Sequence, residues 1–559
     1  MMIFKKIIFT VMLASAFTSL KAQSFTNPIL AGFYPDPSIC KAGKDYYIVN
    51  SSFAYFPGLP IFHSTDLLNW QQIGSALDRP EQLNLDGAGV SRGLFAPTIR
   101  FHDGLFYILC TLVDKGGNFI ITAKDPKGPW SNPTFLPEVR GIDPSIDFIG
   151  DKAYVSYNSD PPENKSLYSG HRSIRMYEFD YKNLKVIGQE KLLVNGGTDI
   201  TKNPIWIEGP HLYKIGDYYY LMCAEGGTGY NHSEVIFRTK SLEEPFVSYQ
   251  NNPILTQRQL DTARTNPITT TGHADLVEAA DGKWWAVFLG CRPYEGDFYN
   301  TGRETFMAPV EWTDGWPKIN PGSETVQYKT PINATLQKAK DMFSGNYYFK
   351  DEFNSSTLNN RYSFLRTERT QWHNLKTKPG SLAIALQPQT CSETGNPSMV
   401  CFRQPHLKGY AAAAINFSAK DENEKAGLLI FQSENHFYYL CKSVDNGKPV
   451  VQLLKGTGNA AAAKPELLAT QGIGSNAGGD TFLKIEANGE RYSFYYATQK
   501  NHWKLLMAGV DGKFLSTKVA GGFVGSMYAM YATSNGRSTT NKAFFNWFDC
   551  RNNDDIYKD

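Results

Sequence analysis

Short aromatic and β-branched runs, each opened by a turn aspartate, recur along the first 340 residues. They are Asp45-Tyr46-Tyr47-Ile48-Val49, Asp103-Gly104-Leu105-Phe106-Tyr107 and Asp151-Lys152-Ala153-Tyr154-Val155, then Asp217-Tyr218-Tyr219-Tyr220-Leu221 and Asp281-Gly282-Lys283-Trp284-Trp285. The aspartate forms a hairpin turn, and the run behind it supplies a central strand of a sheet. Successive turn aspartates lie 48 to 66 residues apart. A repeat of that length in strands alone predicts four-stranded propeller blades, and five copies predict five blades. A β-sandwich with coincidental hairpins is the alternative. Segments such as His63 to Trp70 and Lys124 to Trp130, a polar turn ending in an aromatic, are expected to close blade edges and carry no chemistry.

The texture changes near residue 345, where Asp351-Glu352-Phe353 opens a stretch without the hairpin period. Alternating strands follow, among them Ala426 to Phe431 and His436 to Leu440. Two alanine runs, 411–414 and 460–463, lack the flanks of a helix. This half suits a two-sheet sandwich of jelly-roll or concanavalin-like form. The expected fold is therefore all-β: a five-bladed β-propeller over 23–340 followed by a β-sandwich over 345–559. Composition agrees, with 14% aromatic residues and 48 glycines, as strand-and-turn chains have.

The net charge of +2, without a long Lys/Arg run, argues against nucleic acid or an anionic membrane as partner. Lys5 and Lys6 precede the apolar run Ile7 to Phe17, and Ala22-Gln23 is a plausible cut. The run is too short to span a bilayer, so residues 1–22 read as a cleaved signal and the protein as periplasmic or secreted. Leu20 is an unusual residue at its position before the cut, and no cysteine nearby suggests a lipid anchor. The eight cysteines are dispersed, several within apolar runs such as Ile108-Leu109-Cys110, and read as buried and free. Cys391 and Cys401 flank a Gly-Asn-Pro turn that would allow a bridge, but a pairing is not expected, and no Cys/His spacing resembles a zinc site.

The candidate chemistry begins with a repeat. Asp-Pro-Ser-Ile occurs at Asp36 to Ile39 and again at Asp143 to Ile146, and Ile207-Glu208-Gly209-Pro210-His211 follows. A lone Asp-Pro is ordinarily a turn or cap. Two copies in separate blades suggest carboxylates meeting on a propeller axis. Inverting glycoside hydrolysis needs one carboxylate as base and one carboxylic acid as proton donor, roughly 6.5–9.5 Å apart. Pro204-Ile205-Trp206-Ile207, ahead of Glu208, would desolvate its carboxyl and raise its pKa, as suits the acid. Glu225, in Ala224-Glu225-Gly226-Gly227-Thr228, is a rival for that role or a ligand for a sugar hydroxyl.

Tyr-Pro-Asp-Pro-Ser, Asp-Pro-Ser-Ile, Glu-Gly-Pro-His-Leu-Tyr-Lys, Ala-Glu-Gly-Gly-Thr and Gly-Arg-Glu-Thr-Phe stand here in the order of glycoside hydrolase family 43. So do Phe56-Pro57-Gly58 and Thr271-Gly272-His273-Ala274. The chain resembles the branch with β-xylosidases and α-L-arabinofuranosidases that carries a C-terminal sandwich. The resemblance implies an exo-acting inverting enzyme on plant cell-wall oligosaccharides. It implies Asp36 as general base, Glu208 as general acid and Asp143 as the group that tunes and orients Glu208. It also implies Arg303 as a glycone-binding arginine and Phe53 as an apolar pocket wall. His273 resembles the family's axial histidine, near which some relatives hold calcium; no cofactor is otherwise required.

Two departures bear on the pocket. Phe95 stands where the family often has Trp, which would widen it. Gly522-Phe523-Val524-Gly525-Ser526-Met527-Tyr528 corresponds to a sandwich loop that carries an aromatic into some relatives' sites, with Met527 in place of the second Phe. On these two walls, release of terminal arabinofuranose is favoured over xylose. A non-catalytic sugar-binding protein, for which aromatic-rich propellers and sandwiches are suited, is the reading from another class; it has no need of three positioned acids.

Overall fold

The computed structural model describes residues 23–332, 342–459, 464–474 and 479–558. The expected signal at 1–22, the alanine run 460–463 and the propeller's expected end at 340 lie outside the described residues. Five antiparallel sheets, each built on four strands paired in chain order, make up most of the N-terminal half. Their innermost strands are Ser38–Ala42, Leu94–His102, Ile142–Ile149, Glu208–Ile215 and Thr269–Glu278. Each turn aspartate, from Asp45 to Asp281, lies at the hairpin between the innermost strand and the next.

The ring is closed by the start of the described chain. Gln23–Thr26 pairs with Lys329–Ile332, and Asn27 exchanges hydrogen bonds with the Met307 backbone at 2.8 and 2.9 Å.

Two eight-stranded sheets form the C-terminal sandwich. Ala411 to Ala414 lie in the strand Lys408–Asn416 with almost no exposure. One sheet takes its last strand from the propeller: Tyr55–Phe56 pairs with Ser363–Leu365. Fully buried arginines reinforce the joint. Arg366 donates its amide to Ala54 O at 2.7 Å and its guanidinium to Ala88 O and Gly395 O. Arg292 pairs with Glu304 through two nitrogens at 2.6 and 2.7 Å and donates to Pro405 O. Arginine suits such sites because its fixed fork meets several acceptors at once. All eight cysteines are free and buried. Cys391 and Cys401 thus do not bridge; both are packed in one apolar cluster with Met527, Tyr531 and Phe53.

Candidate active site

All five innermost strands start at the same end of the axis, and the sequence-predicted acids collect there. Asp36 stands just before the first, Asp143 is second in the third, and Glu208 opens the fourth. His273 lies in the fifth. The ladder is irregular at these positions: the register shifts between Phe95 and Thr98, Ile142 and Ser145, Glu208 and His211, and around His273. Such bulges turn a side chain out of the alternation of a strand. The backbone is left-handed at Asp36 (φ 50°), Phe53 (49°), Asp143 (54°), Trp206 (57°) and His273 (53°), a rare state for non-glycine residues that gathers at functional sites. Gly209, at φ 56°, must be glycine for another reason: a Cβ there would stand 2.8 Å from His273 Nε2.

These residues line a cavity of about 230 Å³ with Phe95, Ala96, Ile142, Arg303 and Phe523. Asp36 is 5% exposed, and both its oxygens are engaged. Oδ1 accepts from Arg303 Nη1 at 3.0 Å, and Oδ2 from Ser51 Oγ at 2.6 Å. The Arg303 guanidinium lies beside two rings, with its carbon 5.8 Å from the Phe53 centroid and 5.3 Å from that of Phe523.

Burial first, and the negative charge of Asp36 second, push the Glu208 carboxyl up to about 7. Asp143 is pushed well above the carboxylate range by burial, Glu208 and Asp36. The two raised carboxyls are neighbours, so they titrate as a pair and not one by one. The charge that raises Glu208 after burial is that of Asp36, whereas Asp143, expected to tune Glu208, is itself raised. Of the apolar segment ahead of Glu208, Ile207 is 1% exposed but Ile205 is 51% exposed, so the desolvation comes only in part from that run.

Two expectations need correction. Glu225 does not line the cavity: its carboxylate accepts from the Thr198 amide at 2.8 Å and the Thr198 hydroxyl at 3.1 Å, bracing the loop behind the wall. Met527 is fully buried in the sandwich, with Phe431 and Tyr531, and forms no part of the pocket. The sandwich instead contributes Phe523, stacked at 6.0 Å on Phe53 and edge-on to Phe95 at 5.8 Å. Its amide donates to Ser91 Oγ at 3.0 Å, which pins the loop to the propeller.

Asp143, Glu208 and His273 offer ligand atoms within 4.8 Å of one another. Burial lowers the His273 pKa, so the ring is neutral. One nitrogen and two carboxyls in use for a proton do not supply the six to eight oxygens that calcium takes. These three residues alone do not complete a calcium shell.

Below the cavity lies a second polar layer that the sequence reading missed. Arg100 donates to Asp147 Oδ1 (3.1 Å) and Asp275 Oδ2 (2.7 Å), and meets His211 Nδ1 at 3.0 Å. Ser38 Oγ donates to Asp275 at 2.7 Å, and Ser145 Oγ to Asp147 at 2.8 Å. These residues come from all five inner strands. The repeat Asp-Pro-Ser-Ile therefore has a division of labour: aspartate to the cavity, serine to the axial network, isoleucine to the core. The signal was present in sequence as a polar residue two to five places beyond each site residue, in strands otherwise apolar.

A closed five-bladed propeller with three buried acids at one end of its axis, and a cavity sealed by an aromatic from an attached sandwich, has the architecture of a glycosidase. Residues 25–317 match the family described as glycosyl hydrolases family 43, and 350–551 match the β-xylosidase C-terminal concanavalin A-like domain. The chain is 40% identical over 530 residues to a xylosidase/arabinosidase of Butyrivibrio fibrisolvens, covering 93% of this chain and 98% of that one. It is 38% identical over 538 residues to the non-reducing end α-L-arabinofuranosidase BoGH43B of Bacteroides ovatus, covering 95% and 96%. A crystal structure of a GH43_12 protein retrieved from capybara gut metagenome superposes with a TM-score of 0.85 at 40% identity, covering 92% of this chain and 96% of that one. The chain belongs to glycosyl hydrolase family 43, in the xylosidase/arabinofuranosidase branch.

Proposed function

We propose that the protein is an exported, exo-acting, inverting α-L-arabinofuranosidase that releases a terminal pentose from hemicellulose oligosaccharides. The observation that carries the reading is the cavity: about 230 Å³, closed by Phe53, Phe95 and Phe523 and holding Asp36 and Glu208 together. It is smaller than the roughly 300–1,000 Å³ of pockets for drug-sized ligands, so it suits one sugar ring rather than a chain. Three rings provide apolar faces, while Arg303 and the acids provide polar partners.

In this reading Asp36, held by Arg303 and Ser51, takes a proton from water as the water attacks the anomeric carbon. Glu208 gives its proton to the departing glycosidic oxygen, and Asp143 shares and orients that proton. The C–O bond to the leaving sugar breaks as the bond to water oxygen forms, so the anomeric configuration inverts. The raised Glu208 keeps the donor loaded near neutral pH.

Preference for arabinofuranose is supported by Phe95 and by similarity to the Bacteroides ovatus arabinofuranosidase. Met527 gives no support, because it faces the sandwich core. A β-xylosidase is the second reading, favoured by the dual name of the Butyrivibrio relative. Comparison of kcat/KM on aryl α-L-arabinofuranoside and aryl β-D-xyloside decides between them. A higher value on the arabinoside is expected; a clear xyloside preference would overturn the arabinofuranosidase reading.

A further inference from the structure

A second cavity lies where the propeller and the sandwich join, and it shares no lining residue with the catalytic one. Its volume is about 830 Å³, more than three times that of the catalytic cavity. That falls within the roughly 300–1,000 Å³ of ligand pockets, which favour domain interfaces. The cavity exists because of the strand the propeller lends. Phe56 and Phe364 are register partners in that cross-domain pair, and both line it.

Its polar groups are held in place before any ligand arrives. The His373 ring lies 4.7 Å from the Phe364 ring and 4.9 Å from that of Trp372. Its Nδ1 stands 2.9 Å from Glu368 Oε1, and both of these atoms are buried. The contact leaves Glu368 Oε2 and His373 Nε2 as the accessible polar atoms of the pair. The rim that follows is fixed by Asn374, whose Oδ1 accepts from the Lys376 amide at 3.1 Å and the Thr377 amide at 2.8 Å. Asn360 and Gln371 add exposed amides to the wall, and an amide both donates and accepts, as a sugar hydroxyl does. Among the lining charges Asp78 and Glu368 are set against Lys376, so the site selects neither an anion nor a cation. Aromatic rings beside neutral donor–acceptor groups are the chemistry that recognises a sugar ring by face and edge.

We propose that this cavity is a second carbohydrate site, which takes a segment of several sugar rings of neutral hemicellulose and holds the polymer at the enzyme. A tethered polymer presents its terminal sugars at a raised local concentration. The proposal rests on the hemicellulose reading only for the choice of polymer, and it does not depend on which pentose the catalytic cavity takes.

Native gels cast with arabinoxylan or with xyloglucan read polymer binding as retardation of the whole chain. Asp36→Asn, which binds without turnover, should be retarded by at least one of them. Asn360→Ala and Gln371→Ala, added to it together, should weaken that binding about 10-fold, the worth of two hydrogen bonds. Ser75→Trp, which fills the cavity from the propeller side, should do the same. In the active enzyme the alanine pair should lower kcat/KM on the retarding polymer and leave kcat and KM on an aryl pentoside unchanged. Undiminished retardation in both sets of variants would overturn the proposal, as would no retardation of Asp36→Asn by either polymer. An equal loss on polymer and aryl pentoside would also overturn it, because the effect would then lie in the catalytic cavity. Turnover of aryl pentosides by the parent tests the reading of the catalytic cavity separately, since these substrates do not need the second site.

Discussion

Two layers of polar groups share the propeller axis, on the same five strands and only a few residues apart, and they are built in opposite ways. In the deeper layer the acids are saturated with donors. Asp275 accepts from Ser38, the Ile39 amide, Arg100 and Tyr213. Burial works to raise its carboxyl, but the charge of Arg100 and the hydrogen bonds from Arg100 and Ser38 outweigh it and hold it well below the usual range. His211 is pushed down to about 3, chiefly by burial, so its neutral Nδ1 accepts from Arg100. In the upper layer Asp143 and Glu208 are equally buried but short of donors, and both are raised. Burial alone therefore does not mark a catalytic carboxyl. Donors set how far burial is offset: those on Asp275 outweigh it, whereas Asp147, with Arg100, Ser145 and the Leu212 amide as donors, is still raised by burial.

Substitutions in the two layers should separate activity from stability. Asp36→Asn removes the proposed base from the upper layer and leaves the deeper layer intact. Turnover should fall by about 10²–10⁴-fold, the range for a general base, with a thermal midpoint within a few degrees of the parent. A variant with full turnover would remove Asp36 from the mechanism. Arg100→Met leaves Asp147 and Asp275 buried without their cation, at a cost of about 3–5 kcal/mol. Denaturant unfolding should show that loss, and an unchanged midpoint would break the contrast between the layers. Phe523→Ala, at the rim of the upper layer, forgoes roughly 1.5–3 kcal/mol of apolar contact. It should raise KM about 10-fold or more on small aryl pentosides; an unaltered KM would show that the sandwich does not wall the sugar site.

Much of the upper layer was legible in sequence, because its acids sit in short motifs that interrupt apolar strands. Asp36, Asp143, Glu208, Phe53, Phe95, His273 and Arg303 all line one cavity, and the turn aspartates mark blades at the hairpins. The deeper layer was missed although its polar residues recur just beyond each site residue, since Arg100, Asp147 and Asp275 look like ordinary strand polar residues until five strands converge. Glu225 was misread because its motif gives its position but not its partner, Thr198. Met527 was misread because strand alternation, which turns it into the sandwich, outweighs its place in a loop motif. The strand that Tyr55–Phe56 lends to the sandwich was hidden too, being two residues long with its partner some 300 residues away.

The direct test of the upper layer as a proton store is the pH dependence of kcat/KM for the parent and Glu208→Gln, on an aryl pentoside with a good leaving group and on an oligosaccharide. The parent should lose activity on the oligosaccharide as pH rises through about 7, where Glu208 gives up its proton. Glu208→Gln should lose that basic limb, retain far more activity on the aryl pentoside than on the oligosaccharide, and release the inverted anomer. A basic limb unchanged in Glu208→Gln, or abolished instead by Glu225→Gln, would contradict the account.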